Sequence, residues 1–300
     1  MKILAAVVTY NRRVLLERCL DHILAQSRPA DGVLVINNSS PDDTVTMLDA
    51  RNVDYITQPN LGSAGGWQRA IAHAVEHDYD AVWLMDDDGY PGDGALGALA
   101  KALLPGVACV SSVVLCEDDR GRFVFPFPLL NARGLPKLLG RPRKLPRLDQ
   151  LRAISPDGSY PFAHLFNGAL VSVAAVRAIG NVNADYFIFG DEVDYFMRLR
   201  GYGAVLSRLD AQHYHPDVGT RPYNDAKLYY YVKNSLVIHR RYFDHPATRN
   251  ALAVAVGLTR VLRRNGVKEA ASFAFGAKSP ILRSAIARGL RGQLGKDFSA

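Results

Sequence analysis

Three short apolar runs open this chain, Ile3–Val8, Gly32–Ile36 and Ala81–Met85, and each stops on polar residues. Between them lie segments with helical spacing. Leu15, Leu16, Cys19, Leu20 and Ile23 recur at three- and four-residue steps across 13–26, and shorter helices fit 42–50 and 64–77. A further strand fits 54–57. Strands that alternate with helices return through crossovers instead of hairpins. The rhythm therefore predicts an α/β fold with a mostly parallel central sheet flanked by helices on both faces. Ligands of such sheets bind beyond the carboxyl ends of the strands. Here those ends read Thr9-Tyr10-Asn11, Asn37-Asn38-Ser39-Ser40 and Asp86-Asp87-Asp88, so one site is expected across three strand ends.

The rhythm breaks over 117–165, a stretch rich in Pro, Gly and Arg that reads as an insertion on the acceptor side of the site. Helices resume at 174–179 and 191–200, and a strand fits 204–209. From Ala226 to Ala300 there are 14 Lys and Arg against 3 Asp and Glu, although the whole chain carries only +7. We expect one α/β domain over 1–225, which carries the site, and a basic helical region over 226–300. In the second, Leu228–Val232 and Leu236–Ile238, interleaved with Lys233, Arg240 and Arg241, suit an anionic bilayer surface. The basic residues lack any nucleic-acid recognition motif, and nucleic acid is not an expected partner. Cys19, Cys109 and Cys116 form no CxxC pair, which argues against a disulfide framework or a zinc site and for a reducing cytoplasm. The first apolar run is too short for a secretory core, and none approaches the roughly 20 residues of a spanning helix. The expected location is the cytoplasm, on the inner face of the cell membrane.

Three clusters carry candidate chemistry. Three carboxylates at the end of a buried strand repel one another and lose hydration, which a cation would relieve. In a continuing strand Asp86 and Asp88 would share one side, as oxygen ligands for Mg2+ or Mn2+; a solvated acidic turn is the plainer alternative. Gly62-Ser63-Ala64-Gly65-Gly66 stands at the start of a helix, where glycines let phosphate approach the backbone. It matches neither a P-loop nor a dinucleotide fingerprint. Gly190-Asp191-Glu192-Val193-Asp194 opens another helix: Asp191 can cap it and Asp194 can pair with Arg198, whereas Glu192 has no such structural use and is a candidate general base. His213 and His215 follow the strand at 204–209, and either could add a nitrogen ligand.

Taken in order, Val7-Val8-Thr9-Tyr10-Asn11-Arg12, Val35-Ile36-Asn37-Asn38-Ser39-Ser40-Pro41-Asp42, Asn60-Leu61-Gly62-Ser63-Ala64-Gly65-Gly66, the acidic triplet, Gly190-Asp191-Glu192-Val193-Asp194 and His215 resemble the inverting family-2 glycosyltransferases of the GT-A fold. The resemblance spans roughly residues 3–240. It implies that Asp86, Asp88 and His215 hold the metal and that Thr9 and Asn37 take the nucleotide base. It also implies that Gly65, Asp86 and Asp87 contact the donor. Glu192, with Asp191 beside it, would take the acceptor proton. The family often has Asp where this chain has Asn37, and usually has Asp at the position of Glu192. The full triplet, the glycine loop, the Phe187–Tyr195 run and Tyr229-Tyr230-Tyr231-Val232-Lys233-Asn234 are similar to bacterial galactofuranosyl- and rhamnosyltransferases. That likeness implies a UDP- or dTDP-sugar donor, a Mn2+ or Mg2+ cofactor and a lipid-linked glycan acceptor in cell-surface polysaccharide synthesis. A non-catalytic binding subunit of a polysaccharide assembly complex is the alternative.

Overall fold

A computed structural model describes residues 1–219 and 221–298. In chain order the elements are β1 (Ile3–Thr9), α1 (Arg13–Leu24), β2 (Gly32–Asn37), α2 (Thr44–Ala50), β3 (Asp54–Thr57), α3 (Gly62–Glu76), β4 (Ala81–Asp86), β5 (Tyr90–Pro91), α4 (Ala95–Ala102) and β6 (Val107–Cys116). They continue with β7 (Arg122–Pro128), β8 (Lys144–Arg147), α5 (Leu148–Ala153), β9 (Ser159–Tyr160), β10 (Asn167–Ser172), α6 (Val173–Ile179), α7 (Asp191–Tyr202) and β11 (Ala204–His215). Four helices close the chain: α8 (Asp225–Tyr242), α9 (Pro246–Asn265), α10 (Val267–Ala274) and α11 (Ser279–Leu290). The chain divides into two compact units, Met1–Val182 with Tyr195–Asp217, and Asn183–Asp194 with the segment from Val218 onward.

The first unit is an α/β sandwich on a sheet of order β3-β2-β1-β4-β10-β6-β11-β5. β3, β2, β1 and β4 are parallel neighbours, β10 runs antiparallel between β4 and β6, and β11 lies parallel to β6. The alternation of side chains along each strand feeds two layers. Ile3, Ala5 and Val7 of β1, with Trp83 and Met85 of β4, pack with Leu16, Cys19, Leu20 and Ile23 of α1. On the opposite face α3 seats directly on β1, where a Cβ on Gly66 would fall 2.4 Å from Val8 Cγ1. All three cysteines are buried and free.

The stretch 117–165 departs from the irregular loop its composition suggests. It forms β7, β8, α5 and β9, and Phe123, Phe127, Leu145, Leu148, Leu151 and Tyr160 share an apolar cluster with Leu115 of β6. Only part of each short strand is apolar, so the Pro- and Arg-rich composition masked the pattern. β11 likewise runs on to His215 instead of stopping at Leu209. Its pairing with β6 shifts between Arg208 and Gln212, and that irregularity interrupts the alternation that marks a strand.

In the second unit α8 is the central helix. Leu228, Tyr229, Tyr230, Val232 and Leu236 are buried in a cluster with Val261, Phe273, Leu282 and Ala285. This overturns the bilayer role expected for α8. Lys233 is fully buried, and its ammonium donates to the Gly295 carbonyl and to Asp297, each at 2.8 Å. Interleaved aromatic and basic residues resemble an interfacial helix, but here α9 and α11 cover α8. No helix among the described residues is long and apolar enough to cross a membrane.

Candidate active site

The registers Thr9↔Asn37 and Val8↔Asp86 set the carboxyl ends of β1, β2 and β4 side by side, and β11 brings His215 to the same edge of the sheet. β4 ends at Asp86, so the strict alternation of side chains stops there. Asp87 and Asp88 stand in the following turn, and both are buried. They consequently share a partner instead of facing opposite sides. Arg12 Nη1 donates to Asp87 Oδ1 at 2.9 Å and to Asp88 Oδ2 at 3.0 Å. Thr9 Oγ1 donates to Asp87 Oδ2 at 2.7 Å. Burial, with the charge of Asp88 added, raises the Asp87 carboxyl above its usual range in spite of Arg12. Arg12 was not singled out in the sequence. The signal was the neighbouring Asn11, a residue that tolerates the left-handed backbone it adopts here (φ 54).

The other donor-side candidates serve the local backbone. Asn37 Oδ1 accepts from the Ser40 amide at 2.9 Å, and its Nδ2 donates to Thr57 Oγ1 at 3.3 Å. Gly65 lies inside the first turn of α3, which begins at Gly62 instead of after the glycines. A Cβ there would lie 2.4 Å from Leu61 Cβ, so no larger residue fits.

His213 and His215 lie within β11, and both are buried. His213 has no hydrogen-bond partner at either ring nitrogen among the described residues. Burial pushes its pKa down to about 3, and the ring fills the space beneath the turn that follows the triplet, where Gly89 has no room for a Cβ. His215 is placed differently. Its Nδ1 bonds to the Pro216 carbonyl at 2.7 Å, and its Nε2 lies 3.0 Å from Asp88 Oδ1. A backbone carbonyl on Nδ1 fixes the ring and leaves Nε2 for a ligand role, the usual support of a metal-binding imidazole. Among the described residues no group of three His, Cys, Asp or Glu is already arranged to hold a metal ion. Asp88 and His215 nonetheless present an oxygen and a nitrogen donor in contact, a pair that suits Mn2+.

Asp191 and Glu192 belong to the second unit. The chain before them is turned sharply, with Phe187, Phe189 and Gly190 at φ of 64°, 60° and 88°. Left-handed phenylalanines are costly and persist only where the surroundings enforce them. Asn234 of α8 does so: its Nδ2 donates to the carbonyls of Tyr186 (3.0 Å), Ile188 (2.9 Å) and Phe189 (2.8 Å). Asp194 anchors the same turn by accepting from Tyr242 Oη at 2.7 Å and Arg241 Nη1 at 3.1 Å. Farther along α7, Arg198 donates to the Ile179 and Gly180 carbonyls at 3.3 and 3.4 Å. Sequence reasoning missed Asn234 as a support, although it closes the Tyr229–Asn234 segment.

Glu192 is half-buried at the start of α7, and Asp191 is buried. Burial first, and Glu192 second, push the Asp191 carboxyl up to about 7 from an ordinary 3.8. A carboxyl raised in the folded state stabilises the fold fully below about pH 4, and that contribution is lost as pH rises through about 7. Asp191→Asn, uncharged throughout, is expected to be more stable than the parent at pH 8 by about 1–4 kcal/mol, and equal to it near pH 4. Urea unfolding at the two pH values checks this; the same difference at both would contradict it.

Residues 5–158 match the Glycosyl transferase family 2 domain. The galactofuranosyltransferase GlfT1 of Mycobacterium tuberculosis is 36% identical over 223 residues, covering 71% of this chain and 70% of that protein. GlfT1 of Mycolicibacterium smegmatis is 34% identical over 222 residues, with the same coverage. Among solved structures, Staphylococcus aureus TarS 1–349, crystallised with UDP-GlcNAc, aligns with 97% of this chain and 81% of that one at a TM-score of 0.55 and 14% identity. The mannosyltransferase PcManGT of Pyrobaculum calidifontis, crystallised with GDP-Man and Mn2+, aligns with 97% and 84% at a TM-score of 0.55 and 18% identity. At such identities the structures speak for the fold, which is GT-A.

Proposed function

The chain belongs to glycosyl transferase family 2 and is a glycosyltransferase, and we propose that it transfers galactofuranose from a UDP donor to a lipid-linked glycan with inversion at the anomeric carbon. The observation that carries the choice of sugar is the likeness to two mycobacterial galactofuranosyltransferases at 34–36% identity over about 70% of each chain. A rhamnosyl donor on dTDP is the nearest competitor.

In this reading Asp86, Asp88 and His215 hold Mn2+ or Mg2+, and Asp87 keeps Arg12 and Thr9 in place beside them. When bound, the cation offsets charge growing on the leaving diphosphate. Asn37 and Thr9 stand beside the nucleotide base, and Gly65, whose missing side chain makes room for Leu61, contacts the donor through its backbone. Glu192 takes the proton of the acceptor hydroxyl, and Asp191, buried and held near neutral, orients it. The lipid on the acceptor places the work at the inner surface of a membrane.

Incubation with UDP-galactofuranose and a lipid-linked disaccharide, read by mass spectrometry and by the coupling at the new anomeric centre, tests the proposal. One added hexose of inverted configuration supports it. Transfer from dTDP-rhamnose alone overturns the sugar assignment. Asp88→Ala should remove the dependence of UDP affinity on Mn2+, because His215 loses its acidic partner. Titration calorimetry with and without the ion checks this, and an unchanged response retires the triplet as the metal site.

A further inference from the structure

The buried α8 leaves open which surface could meet a membrane, and within the second unit α9 and α10 supply one. The buried side of α9 carries Ala253, Gly257 and Val261. Its outward side carries Ala251, Leu252, Ala255, Val256, Thr259 and Leu262, all exposed and uncharged, and the exposed Arg263 ends the same side at its carboxyl terminus. A helix facing water usually puts its charges there. Next in the chain Val267 is 71% exposed, and Phe275, just past the end of α10, is 93% exposed. The surrounding charge has one sign. Between Pro246 and Lys278 the only acidic residue is Glu269, which is ion-paired to Lys278, whereas Arg263 and Lys268 are exposed.

We infer that the outward side of α9, with Val267 and Phe275, docks onto a bilayer rich in anionic lipid, the apolar side chains entering the headgroup boundary and Arg263 and Lys268 meeting lipid phosphates. The pattern is that of an interfacial helix: an apolar side, basic residues beside it, and too little apolar character to span. An uncharged protein partner would leave the basic margin unmatched, whereas an anionic bilayer answers both features. The inference deepens the proposed reading, on which its purpose rests, by naming the surface that reaches a lipid-borne acceptor.

The test is co-sedimentation of the full chain with vesicles of phosphatidylcholine, with and without 30% (about one lipid in three) phosphatidylglycerol. Binding to the anionic vesicles is expected, weakening as salt rises. Phe275→Ser is expected to weaken it about tenfold or more, and Leu252→Ser with Val256→Ser further. These side chains lie outside the core, so melting temperature and UDP affinity should stay at parental values. Retained UDP affinity separates failure of this surface from failure of the glycosyltransferase reading. Absence of vesicle binding, or binding unchanged in Phe275→Ser, overturns the inference. So does light scattering that shows a dimer of the parent which Phe275→Ser and Leu252→Ser dissociate while vesicles bind neither form.

Discussion

Glu192→Gln is expected to lower the rate of sugar transfer by on the order of 100-fold or more while leaving UDP affinity within about twofold of the parent. The amide keeps the size and hydrogen-bonding reach of the side chain but cannot accept the proton that the acceptor hydroxyl must lose. In the proposed reading the nucleotide is held by strand ends of the sheet, which belong to the other unit, so affinity and turnover should separate. Asp191 complicates the substitution in an informative way. Its carboxyl is held up to about 7 partly by the charge of Glu192, so removing that charge should let Asp191 ionise at lower pH. Residual activity in Glu192→Gln should then rise with pH along the Asp191 titration. A variant that loses UDP affinity while keeping turnover would exclude Glu192 as the base.

Asn234→Ala should loosen the turn that leads into Asp191 and Glu192. One amide nitrogen serves three carbonyls, and truncation leaves them without that donor where one of the three residues, Phe189, and its neighbours Phe187 and Gly190 hold left-handed backbone. Each buried carbonyl left unbonded costs about 1–3 kcal/mol, and partial repacking brings the total to about 2–4 kcal/mol. The expected signature is local: hydrogen exchange rises across 183–194, the melting temperature falls, and turnover drops more than UDP affinity because Asp191 and Glu192 follow this turn. Asn234→Asp should be no rescue, since a carboxylate would face carbonyl oxygens. A melting temperature and exchange pattern equal to the parent's would show that the turn holds itself.

The first half of the fold was legible because its signals are local and periodic. β1, β2 and β4 are apolar runs ending on polar residues, and α1 repeats Leu16, Cys19, Leu20 and Ile23 toward the core. The carboxyl-end rule then joined Thr9, Asn37 and Asp86, which the register sets on adjacent strands. What stayed hidden depends on contacts across the chain. The extension of β11 through His215 is disguised by a shifted register. Arg12 reaches Asp87 and Asp88 from 75 and 76 residues away, and Asn234 reaches its turn from 45–48 residues away. Nothing in local spacing announces either. The misreading of α8 has the same origin. Tyr, Leu and Lys in alternation suit a membrane surface and a bundle core alike, and only the cover given by α9 and α11, with Asp297 under Lys233, decides between them.

Calorimetric titration of UDP and of dTDP into the protein, with and without Mn2+, tests the central claim most directly. Binding of UDP that tightens with Mn2+ and exceeds that of dTDP is the expected result, and it would join the strand-end site to a galactofuranosyl donor. Binding of neither nucleotide to the folded protein, with the metal present, would contradict the account and leave a binding subunit as the better description.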